Sequence, residues 1–313
     1  MNKTIETLGF YATPGLMTDF REASSLVAGL PDDVQRLCAA IQGWFMHVFW
    51  APAFEYKPEE RQVTDIRVRD VESLVRLLNE RDPSPLSGAR EFTDRIVTEC
   101  RTHSVMLAAL LIHAGIPARV RCGFAHYFWP TEKDKWEDHW VTEYWSVAEK
   151  RWLLADAQLD ATHRHHLELD FDPCDVPRDQ FMPATKVWAL CRKGDMAPQR
   201  FSFDRFTGLT LIRWNLIRDV AAVNKVETLG WDHWGGMFPL EDAKLSEEEL
   251  RFYDQVAKLC SADESLPELR ELYRSDLRLR VPQIVQLMEY DSGEYKLEFS
   301  DLLNGNPERI VLL

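Results

Sequence analysis

A chain of 313 residues with 51 acidic against 37 basic side chains has a formal charge of −14, and its 45% apolar content suffices for a large core. That charge, with no basic run anywhere, excludes the electrostatic footprint of a nucleic-acid binder, because a polyanion is repelled by it. No apolar run approaches a membrane span, and the opening Met-Asn-Lys-Thr-Ile-Glu-Thr has neither the apolar stretch nor the cleavage site of a secretory leader. The six cysteines, Cys38, Cys100, Cys122, Cys174, Cys191 and Cys260, form no Cys-x-x-Cys pair. Neither a zinc ribbon nor a thioredoxin-like site is expected, and reduced thiols in the cytoplasm are the simplest reading.

In chain order, residues 1–89 read as a helical segment. Asp32 or Asp33 caps an amphipathic run through Cys38, Ile41 and Phe45, and Val68 to Asn79 repeats the pattern with Val71, Leu74, Val75 and Leu78. A break rich in Pro and Ser, Asp82 to Gly88, leads into a core over residues 90–195. There Cys100 opens a run to Ala114 that is apolar on nearly every side and stops at Gly115-Ile116-Pro117, the signature of a buried helix. Ala118 to Phe124 alternates as a half-buried strand with Arg119 and Arg121 outward; His139 to Val147 and Trp152 to Leu159 read as a hairpin about a turn at Ala148 to Arg151. Residues 196–313 form a mainly helical extension: Leu209 to Val223, then Leu250 to Cys260 behind a Ser246/Glu249 capping box, then Leu269 to Leu279 behind a Ser265/Glu268 box. No internal repeat is present.

A thiol at a helix start faces unpaired amides and the positive end of the helix dipole, which favour thiolate, the reactive form. With an imidazole and a carboxylate on two neighbouring strands, the chain holds the residue types that cysteine acyl chemistry needs: a base for the thiol that then serves as acid to the leaving group, and a carboxylate to hold its tautomer. If the hairpin loop has an even number of residues, partner numbers sum to an odd value and His139 and Asp156 share a face; Gln158 and Asp160 then lie on it too. A tight turn at Glu149-Lys150 would set Asp160 opposite His139, so Asp160 stands as a rival orienter.

In this combination the chain resembles the transglutaminase-like superfamily of papain-like fold. The resemblance covers about residues 90–160 and rests on Cys100 opening its helix, Gly115-Ile-Pro-Ala-Arg119, Asp138-His-Trp-Val141 and Trp152-Leu-Leu-Ala-Asp156, all in the family's order. It implies an α+β papain-like core, a nucleophile helix on an antiparallel sheet, wrapped here by N- and C-terminal helices. It also implies Cys100 as nucleophile, His139 as general base and acid, and Asp156 as orienter. One departure is Thr98, which stands where the family often has a Gly that shapes the oxyanion site. The Cys100 amide is one expected oxyanion donor; Gln62, Trp44 and Trp50 are all available as a second.

Other clusters carry weaker readings. His163-Arg-His-His166 suits a transition metal by ligand type, but an exposed loop beside the cleft is preferred, and no metal or cofactor is expected. His103, one turn after Cys100, could tune the thiol or simply pack; His113 lies further along the same helix. Trp140 and Gln158 are candidates for the substrate pocket. So are Trp231, Asp232 and His233, from a polar-aromatic segment with a Gly-Gly hinge at Gly235-Gly236. No calcium loop of the Asp-x-Asp-x-Asp-Gly type is present, so calcium activation as in animal tissue transglutaminases is not expected. The reading is therefore a cysteine acyl-transfer enzyme for a small-molecule or peptidyl amide or thioester. Hydrolysis is placed ahead of amide formation because water needs no second site; a non-catalytic binding module is the rival. Nucleic acid and membrane are not expected partners, and oligomeric state is left open.

Overall fold

The computed structural model describes residues 3–132, 134–240, 245–291 and 294–302. The outer ends of the N- and C-terminal segments, residues 1, 2 and 303–313, lie outside the described residues. In chain order the elements are α1 (Lys3–Tyr11), α2 (Val34–Trp44), β1 (Phe45–His47), α3 (Glu60–Val63), α4 (Val71–Arg81), β2 (Ile96–Thr98), α5 (Cys100–His113), β3 (Ala118–Ala125), β4 (Trp136–Ser146), β5 (Arg151–Ala155), α6 (Ala161–His166), β6 (Phe181–Pro183), α7 (Ala184–Lys193), β7 (Phe201–Phe203), β8 (Phe206–Thr207), α8 (Gly208–Val223), β9 (Asp232–His233), α9 (Glu247–Cys260), α10 (Leu266–Ser275), β10 (Ile284–Asp291) and β11 (Glu294–Asp301). This mixture of helices and sheets agrees with an α+β chain.

Contacts divide the chain into two units that interleave in sequence. An N-terminal unit comprises Leu8–Val120 and Trp140–Arg178; a C-terminal unit comprises Met1–Thr7, Arg121–His139 and Asp179–Leu313. Both β3 and β4 are cut by this division, the latter between His139 and Trp140.

In the N-terminal unit, capping chemistry sets the helices. Asp33 accepts from the Arg36 amide to start α2, and Asp70 accepts from the Ser73 amide to start α4. Apolar residues at helical spacing, Leu37, Cys38 and Ile41 on α2 and Leu74, Val75 and Leu78 on α4, are buried. α5 is buried nearly all round, from Arg101 to Leu111, and ends in Gly115 at φ 81°. β1 and β2 pair in parallel, Phe45 with Ile96 through His47 with Thr98. β4 and β5 form the expected antiparallel hairpin, from Ser146 opposite Arg151 to Thr142 opposite Ala155. β5 is shorter than expected: the Asp156 amide turns away to the Pro173 carbonyl at 2.8 Å, and Gln158 and Leu159 leave the ladder.

In the C-terminal unit the sheet order is β6-β3-β4-β7-β8, with β7 parallel to β4 and β6 antiparallel to β3. Here Arg121 corrects the half-buried reading of β3. It is buried, and its guanidinium makes a two-pronged pair with Asp219 of α8 at 2.9 and 2.8 Å, so both faces of the strand are covered. The predicted Ser246/Glu249 capping box is present on α9. Ser265, by contrast, makes no cap bond to α10: a 3-10 turn delivers it at φ −91°, ψ 2°, away from the extended conformation a capping side chain needs. A second sheet, β11-β10-β9, which the mainly helical expectation did not include, pairs two strands that follow α10 with β9, which precedes α9.

Candidate active site

Cys100 is the first residue of α5, its thiol half-buried. Glu99 caps the helix. Its buried carboxylate accepts from the Arg101 amide at 2.9 Å and the Thr102 hydroxyl at 3.1 Å, and lies 3.8 Å from the Cys100 sulfur. A carboxylate, not the thiol, thus occupies the anion seat of this helix. The capping role has a sequence signal, since an acidic side chain just before a helix favours its N-terminus.

Two further residues, silent in the sequence, organise this end of the N-terminal unit. The Thr142 hydroxyl donates to the Ser104 carbonyl of α5 at 2.8 Å, and the Ser104 hydroxyl donates back to the Cys100 carbonyl at 3.1 Å. Thr142 is also the ladder partner of Ala155, after which comes Asp156. One threonine therefore joins the strand β4, Ser104 of α5 and the end of β5. Partner numbers sum to 297, so odd-numbered residues of β4 share a face of the hairpin with even-numbered residues of β5. Asp156 itself is buried and accepts from the Gln158 amide at 3.0 Å.

Asp160 caps α6, accepting from the His163 amide at 3.0 Å and meeting His163 Nδ1 at 2.7 Å. Burial works to raise its carboxyl, but the His163 ring and amide hold it below the ordinary value. The His163-Arg-His-His166 run is helical rather than a loop, with Arg164, His165 and His166 exposed as expected. It is a helical turn with His163 buried against Trp50, ring centroids 4.2 Å apart. Among the described residues no group of three or more His, Cys, Asp or Glu could hold a metal ion. His103 is buried, with Nδ1 3.1 Å from the Glu99 carbonyl, and burial pushes it down to about 4, so it carries no charge near neutrality. His113 is exposed, its ring edge-on to Phe20.

Of the oxyanion candidates, Gln62 gives both amide hydrogens to the carbonyls of Phe92 and Arg95, and Trp44 gives its indole N–H to the Leu86 carbonyl. Their donors are spent on backbone. Trp50 is half-buried on His163. Trp140 and Gln158 are both buried in the N-terminal unit, with Gln158 Nε2 3.5 Å from His163 Nε2.

The remaining candidates fall in the C-terminal unit. His139 is buried, with the rings of Tyr127 and Phe128 edge-on at 5.8 and 4.8 Å. Before it, Asp138 accepts from Asn215 Nδ2 at 2.8 Å; burial raises its carboxyl, against the pull of Arg218 and Asn215. Arg218 donates to Asn215 Oδ1 at 3.0 Å, to the Asp232 carbonyl at 3.1 Å and to His233 Nε2 at 3.3 Å, which leaves His233 Nδ1 as the donor to the Trp231 carbonyl. Trp231 packs edge-on to Phe203. The segment is thus wired by buried polar contacts to the residue beside His139. Gly235-Gly236 is no open hinge: a Cβ on Gly235 would lie 2.3 Å from the Leu277 carbonyl oxygen, and one on Gly236 would lie 2.3 Å from the Tyr253 hydroxyl.

No helix among the described residues is long and apolar enough to cross a membrane. No curated protein and no solved structure gives a match to the chain. The family model of the transglutaminase-like superfamily matches residues 55–157, about a third of the chain, a span that runs from before β2 to just past Asp156. The matched span is similar to the transglutaminase-like superfamily and contains Cys100, His139 and Asp156.

Proposed function

We propose that the protein is a cysteine-dependent acyl-transfer enzyme in which Cys100 is the nucleophile, His139 the general base and acid, and Asp156 the orienter of His139. The observation that carries this reading is the convergence at Thr142, which ties the strand of His139, Ser104 on the Cys100 helix and the residue before Asp156. Asp160 is the weaker orienter, because His163 already holds its carboxylate.

In this mechanism His139 takes the thiol proton as the sulfur attacks an amide or thioester carbonyl, and the tetrahedral oxyanion is met by the Cys100 amide. Collapse expels the amine or thiol, which leaves with the proton from His139. Water then attacks the Cys100 thioester with His139 again as base, releasing the acid. An amine in place of water gives the transfer product; we place hydrolysis first, since nothing dedicated to a second substrate is required. The same reading puts Trp231, Asp232 and His233 among the residues that set substrate choice, through Arg218, Asn215 and Asp138. It also puts the protein in the cytoplasm, where a free Cys100 persists.

Intact-mass measurement after incubation with an amide and thioester library tests the proposal. A thioester adduct on Cys100, abolished in Cys100→Ala with the melting temperature nearly unchanged, is the expected result. Turnover in Cys100→Ala within about tenfold of the parent would remove Cys100 from the mechanism, since triad nucleophiles cost orders of magnitude more.

A further inference from the structure

The N-terminal unit holds a second pair of sulfurs that acyl transfer leaves unused. Cys38, on the buried face of α2, and Cys174, in the segment after α6, have their Sγ atoms 4.0 Å apart, and both thiols are free. An S–S bond of about 2.05 Å requires an approach of only about 2 Å from that contact. The pair is not sealed in the core. Both cysteines line a cavity of about 650 Å³, whose wall also carries Gln35, Gln42, Arg164 and Asp172.

We propose that Cys38 and Cys174 form a redox-active dithiol that a small hydroperoxide, admitted through this cavity, oxidises to a disulfide. Cys174 is the more exposed of the two, at 8% against 3%. Its sulfur attacks the peroxide, an S–O bond forms as the O–O bond breaks, and water or an alcohol leaves, giving the sulfenic acid. The Cys38 sulfur then displaces the hydroxyl, which departs as water with the thiol proton, and the S–S bond closes. Two sulfurs have supplied the two electrons that reduced the peroxide. The hydrogen bond between the thiols, burial, and the nearby carboxylates of Asp156 and Asp172 push the Cys38 thiol up, so Cys38 is not the first sulfur to react and holds the proton that leaves with the hydroxyl as water.

The position gives the oxidation a consequence. Around Cys174, the Pro173 carbonyl accepts from the Asp156 amide at 2.8 Å, the Val176 amide donates to the Leu154 carbonyl at 2.8 Å, and the Tyr144 hydroxyl donates to the Cys174 carbonyl at 3.0 Å. A disulfide would tie α2 to the segment that holds the end of β5. It would also close a long loop in the unfolded chain, so the oxidised protein should melt at a higher temperature.

The test uses the full chain carrying Cys100→Ala, so that its outcome does not depend on the acyl-transfer reading. After treatment with hydrogen peroxide or tert-butyl hydroperoxide, free thiols are blocked with N-ethylmaleimide under denaturing conditions and the digest is mapped. The expected result is a peptide pair joining Cys38 to Cys174 with the loss of two hydrogens. Dithiothreitol should reverse it, and the melting temperature should rise by several degrees while it persists. Recovery of both cysteines as maleimide adducts, a sulfinic acid at Cys174 without cross-link, or a cross-link to another cysteine would each overturn the proposal. Cys174→Ser should abolish the linkage; because the linkage is mapped with both cysteines in place, the result stands even if that variant folds poorly.

Discussion

Cys100 and Glu99 share one helix terminus, where the Glu99 carboxylate accepts from the Arg101 amide and the Thr102 hydroxyl. In the proposed mechanism, stabilisation of a Cys100 thiolate would then fall to the His139 imidazolium rather than to the helix, which makes the partner of His139 the residue to test. Asp156→Asn removes the charge that would stabilise that imidazolium and should lower turnover by a factor on the order of 10² or more. Asp160→Asn should be mild for turnover and should loosen α6, whose first turn it caps. Kinetics on the two variants settle the order, and the reverse ranking would make Asp160 the orienter. His103 contributes at a different pH. Its folded value of about 4 lies below the ordinary 6.5, so the unfolded chain binds the proton more tightly. Stability from this group is complete above pH 6.5 and is lost as pH falls toward 4, by about 3 kcal/mol in all. Urea unfolding at pH 7 and 4.5 should show that loss in the parent, and a smaller one in His103→Leu; equal losses would place the acid sensitivity elsewhere.

Elements with strong periodicity or explicit punctuation were legible from residues alone. The α5 helix followed from its apolar run and its Gly115-Ile116-Pro117 stop, and α9 from its capping box. The β4–β5 hairpin followed from two aromatic strands about a polar turn. β1 and β2, at three residues each, are too short to show a period, and their parallel pairing joins segments fifty residues apart. The early end of β5 was hidden because the partner of the Asp156 amide, Pro173, comes from a later loop. Arg121 misled for a related reason: its alternation marks a wet face until Asp219, almost a hundred residues on, covers it. Thr142 showed nothing in sequence because a strand threonine is ordinary; only the Ser104 carbonyl opposite gives it a role. Gly123 carries a sharper consequence at this scale. It faces Pro183 across the β3–β6 pair, and a Cβ there would lie 2.1 Å from the Met182 carbonyl oxygen and 2.8 Å from Pro183 Cα. Both obstacles are backbone, so neither swings aside. Gly123→Ala should cost about 3 kcal/mol by forcing β6 off β3, read as a lower urea midpoint with protection lost at Phe124 and Ala125; a midpoint equal to the parent's would show that the edge yields freely.

For the whole molecule, the family match covers residues 55–157, yet the contacts that finish those residues come from outside the span. Arg121 needs Asp219 of α8, without which a buried guanidinium has lost its partner. Gly123 to Ala125 need β6, and the Trp136 end of β4 needs β7. The Asp156 amide needs the Pro173 carbonyl, and Tyr144 needs the Cys174 carbonyl. Because the two units interleave, no cut near the match spares both. A fragment of residues 55–157 should therefore lack a cooperative thermal transition, exposing strand edges and apolar faces that the full chain covers. Circular dichroism melts of fragment and full chain check this. A sharp two-state melt of the fragment near that of the parent would mean that the matched segment folds on its own, and that the surrounding residues were added to a finished core rather than needed to complete it.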